Sequence, residues 1–232
     1  MSRRRNAPTA ARRSGRKRSE FRAGGYFLLT FSPVFSMIDI ETVLRTSLSR
    51  NVQAPYPSPE PGIKSSAVLV LLRQEGGAWE LLFTQRGEQI ADHPGQVAFP
   101  GGHVEPGDSG PLATALREAS EEVGIPATAV DSLGFLDPVD TATGFRIWPV
   151  VCVLKQSLAL RPAPPEVRDI FWIPLDWLRK PGRWEWRPAR TETGHAEHPA
   201  VFFEAYQGRI LWGASAMITL RLLDIIRGGH IR

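Results

Sequence analysis

The chain has 232 residues, 42% of them hydrophobic and 22% charged, which suits one large globular domain or two small ones and excludes disorder throughout. Its single cysteine, Cys152, excludes an intramolecular disulfide framework and a multi-cysteine zinc site, and fits a reducing compartment. No apolar run approaches the ~18 residues of a membrane span.

Net charge is +4, but residues 1–36 hold nine basic residues and one acid, Glu20. That segment is +8 and the remainder −4, which argues against a general nucleic-acid surface on the body. Residues 1–36 read first as a solvated, disordered extension, with Met37 opening the folded unit 37–232. Two alternatives are an organelle transit sequence and a basic arm for nucleic acid or anionic lipid.

From Ile38 to Ser49, Ile40, Val43, Leu44 and Leu48 recur at helical spacing, with Asp39 as a cap. Pro55 to Gly62 alternates prolines and predicts an extended connector. The apolar run Ala67 to Leu72 predicts a central strand, and Gly76-Gly77 turns it into a hairpin with Trp79 to Thr84. After a glycine-rich loop, Leu112 to Val123 predicts a helix ended by Gly124.

Leu133 to Leu136, Ile147 to Leu154 and Asp169 to Ile173 predict strands, with a proline loop at 161–165 and a helical turn at Asp176 to Leu178. Val201 to Ala205 and Arg209 to Trp212 predict a second hairpin, and Ala214 to Arg227 a closing helix ended by Gly228-Gly229. Strands and helices mix without regular βαβ alternation. The expected class is therefore α/β (α+β), one α/β/α domain with a mixed sheet.

The helix from Leu112 carries the chemistry. Leu112, Leu116, Ala119 and Val123 share a core face, while Glu118, Glu121 and Glu122 share another at i,i+3 and i,i+4 spacing. Three like charges repel, and only Arg117 stands near to pair with Glu121. A hard cation such as Mg²⁺ or Mn²⁺ would relieve the repulsion. By themselves these residues leave two readings open, a solvated acidic face and a cation platform.

The flanking residues extend the pattern: Gly101-Gly102-His103-Val104-Glu105-Pro106-Gly107-Asp108, then Arg117-Glu118-Ala119-Ser120-Glu121-Glu122-Val123-Gly124-Ile125. This resembles the signature of the Nudix hydrolase superfamily: glycine, five residues, glutamate, seven residues, then Arg-Glu-apolar-x-Glu-Glu-x-Gly-apolar. Here Asp108 stands where the first glutamate is expected, and eight residues separate it from Arg117. A second likeness is to the coenzyme A pyrophosphatase branch. It rests on Leu81-Leu82-Phe83-Thr84-Gln85-Arg86-Gly87, on His93-Pro94-Gly95-Gln96-Val97-Ala98-Phe99-Pro100-Gly101-Gly102, on 139–145 and on 206–214. Gly87 replaces the branch's serine and Ala91 its arginine.

The resemblance implies a Nudix-type α/β/α sandwich that cleaves the diphosphate of coenzyme A or acyl-CoA with Mg²⁺ or Mn²⁺. It implies Glu118, Glu122 and Glu121 as metal ligands, with Glu121 a third ligand or the general base. Glu166 is an alternative base. Arg117 orients the carboxylates or contacts phosphate. Arg86 is expected at substrate phosphate, Gly101 and Gly102 at tight turns around the ions and substrate, and His93 at substrate or as a brace of its loop. His195 and His198 are expected to be exposed loop histidines and Cys152 core. Trp172, Trp177, Trp184 and Trp186 are expected to pack in the core before stacking on adenine.

The partner is a small molecule, with no membrane and no nucleic acid; a homodimer is left open. The expected location is cytoplasmic, or organellar if 1–36 is a transit peptide. Rival readings are another Nudix substrate (NADH, ADP-ribose, a nucleoside triphosphate), a non-catalytic Nudix ligand-binding domain, and a nucleic-acid-directed hydrolase using the basic segment.

Overall fold

A computed structural model describes residues 39–48, 55–57, 60–90, 93–190 and 197–228. The segment 1–36, Met37, Ala91, His195 and Gly229 lie outside the described residues. Helix α1 spans Ile40–Ser47, shorter than its periodicity suggested. Asp39 caps it as expected, accepting from the amides of Glu41 and Thr42, which would otherwise be unpaired.

Strand β1 (Lys64–Glu75) turns at Gly76-Gly77 into β2 (Ala78–Arg86). Both glycines take positive φ, 57° and 83°, which suits them to the tight reversal. The hairpin pairs only near its turn, from Leu72 opposite Leu81 to Glu75 opposite Ala78. Beyond that β1 and β2 diverge, and residues 97–103 are wedged between them. β3 (Val97–Ala98) pairs with β2, and β4 (Gly101–His103) pairs with β1. The amide of Leu69 donates to Pro100 O between the two.

Helix α2 (Pro111–Val123) follows, ended by Gly124 at φ 73°. β5 (Val130–Phe135) and β6 (Val139–Asp140) then both pair antiparallel with β7 (Phe145–Leu154), and β7 runs parallel to β1. β8 (Val167–Pro174) closes the other side of β2, and a short α3 (Leu175–Leu178) follows. The parallel β1–β7 pair, buried on both faces, accounts for the unbroken apolar run read from Ala67.

Alternate residues of β1 serve opposite layers. Ala67, Leu69 and Leu71 pack with Val150, Cys152 and the α2 residues Ala115, Ala119 and Val123. Val70 and Leu72 face the other way, with Val151, Leu44 of α1, and Ile218 and Leu222 of α4 (Gly213–Ile226). The result is the expected α/β/α sandwich around a mixed sheet. Cys152 is buried and free, and burial pushes its thiol up to about 12. Among the described residues no helix is long and apolar enough to cross a membrane.

The second hairpin differs from its expected form. Val201 to Phe203 belong to β10 (Glu197–Phe203), whose partner is β9 (Trp184–Arg190), a strand that Pro188 and its charged residues concealed. The chain does reverse at Gln207-Gly208, both at positive φ. The ladder there is reduced to isolated bridges, Phe202 with Trp212 and Tyr206 with Arg209, on the edge of the strand away from β9. His198 therefore sits in a strand rather than a loop. Trp172, Trp177 and Trp184 are partly buried against the two cores, as expected. Trp186 departs from that expectation and is exposed.

At the end of β2, Gly87 donates its amide to Glu166 O at 2.8 Å. A Cβ on Gly87 would lie 1.9 Å from Pro165 O. The contact is with backbone, so only movement of the chain makes room for a larger residue here. Gly87→Ala is expected to cost about 2 kcal/mol by overpacking, read as a lower midpoint in urea against wild type.

Candidate active site

The β4 strand of the wedge meets the second half of α2, at Glu118 and Glu122. Gly101 holds φ 156°, and a Cβ there would meet Ala67 O at 2.3 Å, so β4 reaches β1 only as glycine. Next to it, a Cβ on Gly102 would meet the Glu118 carboxylate at 2.3–2.8 Å. The Gly-Gly pair thus leaves a bare stretch of backbone on which α2 lays its carboxylates.

Glu122, assigned from periodicity to the polar face, is 5% exposed. Its Oε2 accepts from the amide of Gly101 at 3.1 Å. Burial pushes its carboxyl from the ordinary 4.5 up to about 7, opposed by that hydrogen bond. The charges of Glu118 and Glu166 raise it further, and that of Arg86 lowers it. Glu118 is raised as well, chiefly by burial, with Arg117 opposing and Glu121 and Glu166 adding to the rise. Glu118, Glu122, Glu166 and Arg86 therefore act on one another from α2, the end of β2 and the loop before β8.

Arg117 ties this group to its loop. Its Nη1 reaches Glu118 Oε1 at 3.0 Å and Glu121 Oε2 at 3.2 Å, and its Nη2 reaches His103 O at 2.9 Å and Asp108 Oδ2 at 3.1 Å. Of the two roles expected for Arg117, orientation of the carboxylates is the one these contacts describe. Asp108 also accepts from the Glu105 amide at 2.9 Å, closing a turn in which Gly107 holds φ 107°. A carboxylate at 108 therefore anchors the loop to Arg117. Gly107 serves that turn and borders open space.

The three helical glutamates do not converge as a trio. Glu121 is 59% exposed and turned to Arg117, because i,i+4 spacing brings its carboxylate to the guanidinium. Among the described residues no three His, Cys, Asp or Glu side chains form a ready cation cage. Glu118 and Glu122 nonetheless fit a hard divalent ion as a pair. Their oxygens suit it, Gly102 leaves the space a Cβ would fill, and burial with like charges makes the pair costly without a cation.

Arg86 stands at the strand end, where its charge acts on Glu122. His93 holds φ 54°, and its backbone carbonyl accepts from the amide of Gln96. A cavity of about 420 Å³ opens beside that loop, lined in part by Gln85, Pro94, Gln96, Arg209, Ile210 and Trp212. It joins two segments far apart in sequence, and no spacing rule foretold it.

The NUDIX domain profile matches residues 64–193. The chain is 40% identical over 142 residues to "Uncharacterized Nudix hydrolase NudL" of Yersinia enterocolitica, covering 61% of this chain and 71% of that one. The protein of the same name from Enterobacter sp. (strain 638) is 37% identical over 181 residues, 78% and 88% of the two chains. Among solved structures, a Caenorhabditis elegans Ap4A hydrolase complex is similar at TM-score 0.42 and 22% identity, over 49% of this chain and 82% of that one. The NUDIX domain of Shewanella oneidensis NrtR with ADP ribose is similar at TM-score 0.40 and 23% identity, over 53% and 84%.

A carboxyl at 4.5 in the unfolded chain and about 7 in the folded one holds its proton more tightly when folded. The stabilisation is complete below about pH 4.5 and is lost as pH rises through 7, to the extent of roughly 3 kcal/mol. In chelator, wild type is expected to lose thermal stability between pH 5 and 8 by more than Glu122→Gln does. Equal pH slopes for the two proteins would refute the buried charge.

Proposed function

This chain belongs to the NUDIX domain family, and on that premise we propose that it is a divalent-cation-dependent pyrophosphohydrolase of coenzyme A or its acyl thioesters. The observation that carries the hydrolase reading is the buried Glu118–Glu122 pair laid on Gly101-Gly102, with Arg86 beside it. A bound Mg²⁺ or Mn²⁺ supplies charge neutralisation at the phosphoanhydride and acidifies water.

Glu118 and Glu122 hold the cation. Arg86 meets a phosphate oxygen, drawing the anion toward a site otherwise rich in carboxylates. Arg117 keeps Glu118 and Glu121 in place through its bonds to Asp108 and His103 O. Glu121, exposed and tethered, takes the proton of the attacking water. One P–O bond forms, the bridging P–O bond breaks, and the oxygen of the departing phosphate takes up the electron pair. The products are 4'-phosphopantetheine, or its acyl form, and adenosine 3',5'-bisphosphate.

The coenzyme A reading is supported by residues 81–87, 93–102, 139–145 and 206–214, which resemble that branch. Three of these stretches, 81–87 through Gln85, 93–102 and 206–214, line the 420 Å³ cavity, whose amide, guanidinium and apolar groups suit an arm with both amides and an apolar end. Other nucleoside diphosphate derivatives are the second reading, favoured only by the family itself.

Two experiments test these statements. With Mg²⁺ present, coenzyme A is expected to yield adenosine 3',5'-bisphosphate at a kcat/KM at least tenfold above that for NADH, ADP-ribose or dGTP, by product chromatography. A ranking with coenzyme A last would move the substrate elsewhere in the family. Gly102→Ala is expected to displace the Glu118 carboxylate and lower Mg²⁺-dependent turnover about a hundredfold while far-ultraviolet dichroism is unchanged. Wild-type turnover in that variant would remove Glu118 from the site.

A further inference from the structure

Tyr56 lies in the proline-rich connector, ahead of the matched residues 64–193, and belongs to no motif read above. Its ring meets Trp148 of β7 edge-on, with centroids 6.1 Å apart. Its hydroxyl donates to Thr114 Oγ1 at 3.0 Å. Thr114 is fully buried on α2 and donates its own proton to Asp108 Oδ2 at 2.9 Å. Asp108 receives Arg117 through Nη2 at 3.1 Å and Nε at 3.3 Å, and Arg117 Nη1 continues to Glu118 and Glu121.

The direction of each bond follows from the chemistry of the groups. Thr114 has one hydroxyl proton, and the carboxylate is its strongest acceptor, so a Thr114 lone pair is left to take the phenol proton. Burial pushes the Tyr56 phenol up to about 12, so it stays a donor at any working pH. Hydrogen bonds in series polarise one another. The loop acid is thus held from both sides, by Arg117 and by a residue upstream of the catalytic motif.

We propose that Tyr56 is a positioning residue, which through Thr114 and Asp108 holds the 103–110 loop and Arg117 where Glu118 is set for the cation. This rests on the reading of Glu118 as a cation ligand. Deleting one neutral hydrogen bond in the relay shifts the loop's opening equilibrium by about fivefold.

The test uses the full chain as wild type, Tyr56→Phe, Thr114→Val and the double variant. Phenylalanine keeps the packing on Trp148 and removes only the hydroxyl, so the thermal midpoint is expected to stay close to wild type. Amide exchange at Glu105, whose N–H is bonded to Asp108, is expected to rise about fivefold in Tyr56→Phe while amides of β1 and β7 do not change. Mn²⁺ affinity, by paramagnetic resonance titration, is expected to weaken about fivefold, and kcat to fall alike with KM for the diphosphate unchanged.

The double variant is expected to match Thr114→Val alone, because the bonds act in series. Wild-type Glu105 exchange and Mn²⁺ affinity in Tyr56→Phe would overturn the proposal and leave the hydrolase reading standing. So would losses that multiply in the double variant. A wild-type chain that cleaves no diphosphate, with Mn²⁺ binding still weakened in Tyr56→Phe, would remove the hydrolase reading and keep the relay.

Discussion

The structure turns on two carboxylates set against the Gly101-Gly102 backbone of β4. A buried acid is expensive unless something compensates it. Here Glu122 has the Gly101 amide and the charge of Arg86, and Glu118 has Arg117. Neither compensation is complete, since both carboxyls titrate above their ordinary values. Under the proposed function a divalent cation would supply the missing charge, so the residues that weaken the empty fold would favour a loaded one.

The sheet makes that pair possible by coming apart. β1 and β2 pair at one end only, and the gap at the other admits residues 97–103 as an inserted ribbon. A side chain at 101 would strike the β1 backbone, and one at 102 would strike Glu118. Both glycines are therefore dictated by packing, and the close approach of α2 follows from them. Gly87 repeats the logic on the far side of β2, where a Cβ would strike the backbone of Pro165.

Arg117 converts a repulsive helix face into an ordered one. Its five donors are shared among the loop carbonyl at His103, Asp108 and two glutamates, a division the guanidinium fork allows and an ammonium would not. An aspartate at 108, one methylene shorter than the glutamate of the family pattern, still reaches Arg117 from a loop one residue longer. Thr114 and the Glu105 amide donate to it as well. At this departure from the pattern Asp108 anchors the loop to Arg117.

The repeating elements were legible in the amino-acid order because their cause is local. Periodicity marked β1, β2, α2 and α4, glycines marked the turns at 76–77 and 124, and Asp39 marked a cap. The fixed offsets of Arg117, Glu118, Glu121 and Glu122 marked the acidic face. Only the tertiary structure decided which of those acids is buried, because burial of Glu122 depends on β4 arriving from twenty residues away. It also decided that β10 takes β9 as its ladder partner and only bridges to 209–212, that Glu121 turns to Arg117, and that Tyr56 reaches Thr114 across 58 residues of chain. Spacing along a helix fixes angles around its axis. It carries no information about what the rest of the chain lays over each angle, and in this protein the electrostatics of the site are set by that covering.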